Sequence, residues 1–281
     1  MFYIHLMRIK CETLAQANFL TSVRDPVTVI EQSFQIKPTA LVRNGSEWHI
    51  GNVELLSNGG VAFAMGRTQA VKSPLFDIDN HDFKEEEALK APFTIGVFDK
   101  ETQACGIIRK SGVSQNGYEV AKKLEVLLNS SGLAAETNTQ ILVETIPDPV
   151  GFIEAIFSAK FFKRFSFTVT RPNPHDIDRL IQGPAEEFTE AANGLRTKIE
   201  VEGPDLSKEL IQDVAHAVAA VGEEATASIV TQAGRRSKRV HLSGNAVVEA
   251  VDPDARDSVL NSILNRTREA YYRVRNGMQI P

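Results

Sequence analysis

Read for its alternation of apolar and polar positions, the first third of the chain predicts strands. Phe2–Cys11 alternates loosely, as an opening strand does. Trp48–Leu56 and Val61–Arg67 flank Ser57-Asn58-Gly59-Gly60. An Asn-Gly pair tolerates the positive φ angles of a type I′ turn, so these runs predict a hairpin. Phe93–Phe98 and Gln103–Arg109 predict a second hairpin around Asp99-Lys100-Glu101-Thr102. Between the two, residues 76–87 are polar and acidic and predict a connection.

The period changes after the small, polar stretch Ser111–Gly117, which marks a domain boundary. Asn116 is placed to cap a helix carrying Val120, Leu124, Leu127 and Leu128 and ending near Gly132. A strand at Ile141–Ile146 follows. Asp148-Pro149 then opens a helix with Phe152, Ile153, Ile156 and Phe157. Phe165–Thr170 alternates as a half-buried strand that Arg171-Pro172-Asn173-Pro174 terminates. Helical pieces at 176–182 and 185–192 lead to a strand at Thr197–Glu202 and a helix over Ser207–Val221. Ile229–Ala233 and Arg239–Ser243 predict a hairpin, and a final helix runs from Asp252-Pro253 to Asn276-Gly277. The fold class is α+β, with a β-rich N-terminal domain over 1–112 and a mixed α/β domain over 113–281 that ends in a long helix.

Composition removes several function classes. The two cysteines, Cys11 and Cys105, form no CxxC or Cys/His cluster, so neither structural zinc nor a disulfide framework is expected. Polar residues interrupt the N-terminal apolar stretch, and no segment approaches eighteen apolar residues. The expectation is a cytoplasmic protein without direct membrane insertion. No GxGxxG, P-loop, GxSxG or HExxH occurs, so no cofactor and no metal is expected, and the reading leans away from an enzyme. Asp77, Asp79, His81 and Asp82 form an acidic group, but one without the glycine and terminal glutamate of an EF-hand loop. His216 beside Asp213 reads as structural. His175, Asp176 and Asp178 near a strand end are the acid–base candidates of an alternative reading, a metal-dependent nuclease or nucleotide-modifying effector.

Charge changes the picture most. The chain carries −5 overall, yet residues 235–281 hold nine basic and five acidic side chains. Arg235, Arg236, Lys238 and Arg239 sit at the predicted hairpin tip. Arg266, Arg268, Arg273 and Arg275 are assigned to the exposed side of the last helix. Lys160, Lys163 and Arg164 form a further cluster among Phe161, Phe162 and Phe165, aromatics that a packed core equally explains. Cations on a protruding tip neutralise phosphates and release counterions, so these eleven residues are the candidate nucleic-acid contacts.

The order of elements from Trp48 onward resembles the bacterial phage-exclusion proteins of the Rex type and, more loosely, Kiwa-type anti-phage defence proteins. The likeness spans roughly residues 48–276. It is carried by WHIGNVELLSNGGVAFAMGRT, PFTIGVFDKETQACGIIRK with the leucine-rich helix after it, the run into FSFTVTRPNP, and VHLSGN followed by DSVLNSILNRTREAYYRVR. It implies a two-domain α+β protein that forms a homo-oligomer, a dimer, and binds DNA without much sequence preference. It also implies a membrane-protein partner in stopping phage growth. The expected function is thus a non-enzymatic, nucleic-acid-binding component of such a system, with DNA the expected polymer. The third alternative is a protein-interaction subunit in which the cations are simply solvated.

Overall fold

Both faces of the opening strand are buried, and the molecule is assembled around it. The structure, a computed structural model, describes residues 1–13, 25–42, 46–113, 115–170, 182–192, 194, 196–231, 236–243, 246–253 and 258–277. Along the chain the elements run β1 (Phe2–Thr13), α1 (Pro26–Gln35), β2 (Thr39–Val42), β3 (Ser46–Leu55), β4 (Gly60–Arg67), β5 (Gln69–Asp77), β6 (Asp82–Lys90), β7 (Phe93–Asp99) and β8 (Ala104–Ile108). Next come α2 (Gly117–Asn129), α3 (Leu133–Glu136), β9 (Thr139–Thr145), α4 (Val150–Phe157), β10 (Phe161–Thr170), α5 (Gln182–Ala191) and β11 (Arg196–Glu202). The last third holds α6 (Lys208–Ala220), β12 (Ala225–Val230), β13 (Lys238–Leu242), β14 (Val248–Val251) and α7 (Val259–Asn276). The class is α+β, with a large, curled antiparallel sheet.

That sheet is ordered β14-β1-β8-β7-β4-β3-β2, with β9 also paired to β1. One edge of β1 takes β8. The other takes β14 along Phe2–His5 and β9 along Met7–Thr13, end to end. At their junction the Leu6 amide donates to the Val247 carbonyl, the Ile146 amide to Leu6, and the Val247 amide to Ile146, all within 2.9–3.1 Å. Elements on both sides of residue 112 therefore share this sheet. A second sheet, β11-β10-β12-β13, is also antiparallel.

Alternation along β1 divides the core. Met7, Ile9 and Cys11 meet Val29, Ile30 and Phe34 of α1 and Val120, Leu124, Leu127 and Leu128 of α2. Ile4 meets Ile263 and Leu264 of α7, and Leu6 joins the core formed by α4, α6 and the second sheet. Each fully buried Leu or Ile contributes about 1.5–3 kcal/mol. α2 begins as its sequence indicates, with the Asn116 Oδ1 accepting from the Tyr118 amide at 3.0 Å. α7 begins later than Asp252-Pro253 suggests. Ser258 caps it through the Asn261 amide at 3.2 Å, because residues 248–251 are taken by β14. Gly277, in the left-handed region at φ +67°, closes it.

Three predicted features differ. The first hairpin has a single positive φ, at Gly59, where a type I′ turn needs two. Its turn is closed by the Gly59 amide donating to Leu56 at 3.1 Å, a longer loop that offers the Asn58 carbonyl to α7. The acidic connection at 76–87 is instead part of a ribbon, β5 paired to β6 through nine residue pairs. The strand predicted at Ile229–Ala233 starts earlier, at Ala225. The predicted helix over 176–182 lies almost wholly outside the described residues.

α7 is seated by close approach and by charge. A Cβ on Gly106 of β8 would fall 2.2 Å from the Thr267 Oγ1, so only glycine lets the helix lie there. Arg268 donates to the fully buried Asp99 carboxylate from Nε at 3.0 Å and Nη2 at 2.7 Å, and from Nη2 to the Asn58 carbonyl at 2.8 Å. One guanidinium therefore ties both hairpin turns to α7. We expect Arg268→Met to cost about 2–3 kcal/mol in urea unfolding, since Asp99 would keep only its Thr102 donors. Unchanged stability would show that the pair does not seat the helix.

Candidate nucleic-acid interface and a carboxylate-lined cleft

The second sheet brings together two basic segments that are far apart in sequence. Its inner face carries Phe165, Phe167 and Val169 against α6, and its outer face is polar. Strand register aligns Glu202, Arg164, Ser228 and Arg239 in one row across four strands, with Glu200, Ser166, Thr226 and His241 in the next. The outer face forms an open cleft of about 590 Å³ lined by Lys163, Arg164, Lys198 and Arg239, with Glu200 and Glu202 and hydroxyls from Ser166, Thr226, Ser228 and Ser237.

The cations differ in availability. Arg236, Lys238 and Arg239 are exposed, and none has a carboxylate within ion-pair distance among the described residues. Lys160 and Lys163 stand 5.4 and 5.3 Å from the centre of the Phe161 ring, which is 39% exposed. Phe162 and Phe165 are core residues. Arg164 already pairs with Glu202 at 2.9 Å and Glu200 at 3.5 Å, which hold its proton more tightly than usual. Arg235 lies outside the described residues.

The helix arginines correct the expectation of an exposed basic side on α7. Arg266 pairs with Glu249 at 2.7 Å and Glu269 at 3.1 Å, and Arg273 also pairs with Glu249, which is buried on β14. Arg268 is held by Asp99. Arg275 is half-buried beside Asp213 and His216. α6 packs between α7 and the second sheet, so these four do not join the sheet-face cluster. Lys198, by contrast, belongs to the cluster without having been expected there. Its strand alternates with Ile199 inward, which puts Lys198 on the same face as Glu200 and Glu202, but the register that sets it opposite Thr168, on the face of β10 that also carries Arg164, is long-range.

The acidic group around Asp77 resolves into a turn. The Asp77 carboxylate accepts from the Asn80 amide at 3.2 Å and the Asp79 amide at 3.0 Å. Those bonds, the Asn80 amide foremost, and Lys84 hold its carboxyl below the usual range. His216 bonds through Nδ1 to the Val274 carbonyl at 2.8 Å, and burial depresses its basicity. His175, Asp176 and Asp178 lie outside the described residues. Among those described, no three His, Cys, Asp or Glu side chains gather round a point where an ion would sit. Cys11 and Cys105 are buried free thiols.

A second cleft, of about 470 Å³, lies where the two sheets meet. The Lys10 ammonium, 2% exposed, contacts Glu144 at 2.8 Å and Glu223 at 3.0 Å. Burial opposes its charge, but the two carboxylates outweigh burial and raise its basicity. Glu12, two residues on, has no such contact among the described residues. Burial pushes its carboxyl up to about 7, against the pull of Lys10 and Arg196. No local pattern announces this group, because Glu144 and Glu223 reach Lys10 only through the fold.

No family model matches the chain, and no curated protein matches it.

Glu12 carries a proton in the folded chain at pH values where the unfolded chain has lost it. Its contribution to stability is therefore complete below about pH 4.5 and lost as pH rises through about 7. We expect Glu12→Gln to remove a fall in unfolding free energy across that window and to leave the variant the more stable above it. Parallel pH–stability curves for the two proteins would contradict the burial of Glu12.

Proposed function

We propose that the chain binds nucleic acid through the outer face of the β11-β10-β12-β13 sheet. The observation that carries this is the convergence of Lys163 and Arg164 with Lys198 and Arg239 on one open, hydroxyl-lined face. Ammonium, guanidinium and hydroxyl groups on a sheet suit phosphate oxygens, and the aromatic side chains that would stack bases are mostly turned into the core, which favours backbone contact over sequence readout. The resemblance to Rex- and Kiwa-type proteins extends this reading to DNA, to a role in stopping phage growth and to a membrane-protein partner. Those parts rest on the resemblance. No helix among the described residues is long and apolar enough to cross a membrane.

Replacing Lys163, Arg164, Lys198 and Arg239 together by Ala should weaken binding to duplex DNA and flatten the salt dependence. For each phosphate that the variant no longer neutralises, the slope of log affinity against log salt should fall by about 0.9. Arg266→Ala should leave that slope unchanged, because Arg266 is committed to Glu249 and Glu269. Fluorescence anisotropy at several salt concentrations reads both. An unaltered slope in the fourfold variant would remove the sheet face from the proposal.

A second reading, as a protein-interaction subunit, has its own observation. The β5–β6 ribbon exposes Phe76, Phe83 and Leu89, at 49, 84 and 76%, on one face, and Ile78 at its turn. A lone two-stranded ribbon is marginal in water, so such a face is best kept by burial against a partner. Its six acidic and three basic residues make phosphate an unsuitable one, and a second copy of the chain, joined through the apolar face, meets the implied homo-oligomer. Light scattering should then show the wild type above monomer mass and Phe76→Ser/Phe83→Ser/Leu89→Ser at monomer mass. A monomeric wild type at micromolar concentration would exclude self-association through the ribbon.

A further inference from the structure

A buried histidine stands under the start of α2. His5 lies on β1 between Ile107 of β8 and Val248 of β14, 3% exposed. Neither ring nitrogen makes a hydrogen bond, and burial, then the Arg109 guanidinium, lowers the basicity of the ring against a weaker opposing pull from the Gln115 carbonyl. Above it, a Cβ on Gly117 would come within 3.1 Å of the His5 Nδ1 and 3.0 Å of the Ala246 Cβ, so the first turn of the helix lies directly over the imidazole. Asn116 satisfies the Tyr118 amide, and among the described residues no acceptor takes that of Gly117.

These groups open onto a cavity of about 590 Å³, which Arg109, Gln115, Asn116 and Thr145 also line. No Asp or Glu is among its described lining residues. Arg109 is held in place through its backbone, its amide donating to Tyr3 at 2.8 Å, while its exposed guanidinium pairs with no carboxylate among the described residues. A helix N-terminus of thirteen residues, an unpartnered buried imidazole and a free guanidinium converge here from three elements. Their common complement is an anion with several oxygens.

We propose that this pocket binds a small phosphate-bearing anion, its phosphate held between the N-terminus of α2, the His5 imidazole and the Arg109 guanidinium. A planar carboxylate offers two oxygens to three donor directions, whereas phosphate offers one to each, and a doubly charged phosphate gains more from the helix terminus. The site is separate from the sheet-face cluster, whose lining residues it does not share.

The full-length chain is titrated with inorganic phosphate, with a nucleoside 5′-monophosphate and with acetate at matched ionic strength. The His5 ring signals, assigned with His5→Gln, are followed by NMR. We expect a saturable shift with phosphate or the monophosphate at millimolar concentration or below, and the tighter of the two tells a free ion from a phosphate ester. Arg109→Ala, an exposed change, should weaken it about tenfold or more. The fourfold Ala variant of the sheet face should bind as the wild type does, which separates this site from the nucleic-acid reading. No response of His5 to either phosphate, an equal response to acetate, or undiminished binding by Arg109→Ala would each overturn the proposal.

Discussion

The buried ammonium of Lys10 is the constraint on which the arrangement of the two sheets depends. An unpaired ammonium in a protein interior costs several kcal/mol, so a strand that carries one inward must be met by carboxylates. Glu144 comes from β9, beside β1, and Glu223 from the corner between α6 and β12. The pairing therefore fastens the second sheet and its helix against the first. Arg8, on the same face of β1, lies 5.1 Å over the Tyr271 ring and does the same for α7. Two cations on one strand thus fix the positions of three later elements. They also explain the odd state of Glu12, since the carboxylates nearest to Lys10 leave it none of that cation's direct contacts.

Paired charge explains why the two ends of the basic region behave differently. Arg266, Arg268 and Arg273 meet Glu249 and Asp99, both buried, so their charge is neutralised inside the molecule. The basic residues of β13 face solvent, with only Glu200 and Glu202 across the sheet to offset the cleft. A count of cations along the chain treats the two groups alike. What distinguishes them is whether a neighbouring strand presents a carboxylate at the right register.

That difference marks how much of this protein was legible in its sequence. The hairpins, the caps at Asn116 and Gly277 and the alternating Phe165–Thr170 strand were readable, because each is set by residues within a few positions of one another. The β5–β6 ribbon was not. Alternation signals a strand only where one face is buried, and Asp82–Lys90 has little to bury. Asp252-Pro253 has the form of a helix start but is overridden by Ser258, because Val248–Val251 completes an edge of β1. Of the candidate site, the basic segments were visible and their convergence was not. It depends on Arg164 lying opposite Ser228, and Ser228 opposite Arg239, pairings that no local pattern specifies. His5 reads as an ordinary alternating position of β1, and only the helix above it makes it unusual.

The separation of charge also shapes what the sheet face can do. With −5 on the whole chain, most of the surface repels a polyanion, and attraction is confined to the face where basic residues outnumber Glu200 and Glu202. At physiological salt, where fields decay over about 8 Å, a polymer meets that face only at close range. Repulsion elsewhere then narrows the approach angles, so the same charge pattern that limits affinity sharpens orientation. For the phosphate-backbone contact proposed above, which reads no bases, the acidic body would be the means of setting direction.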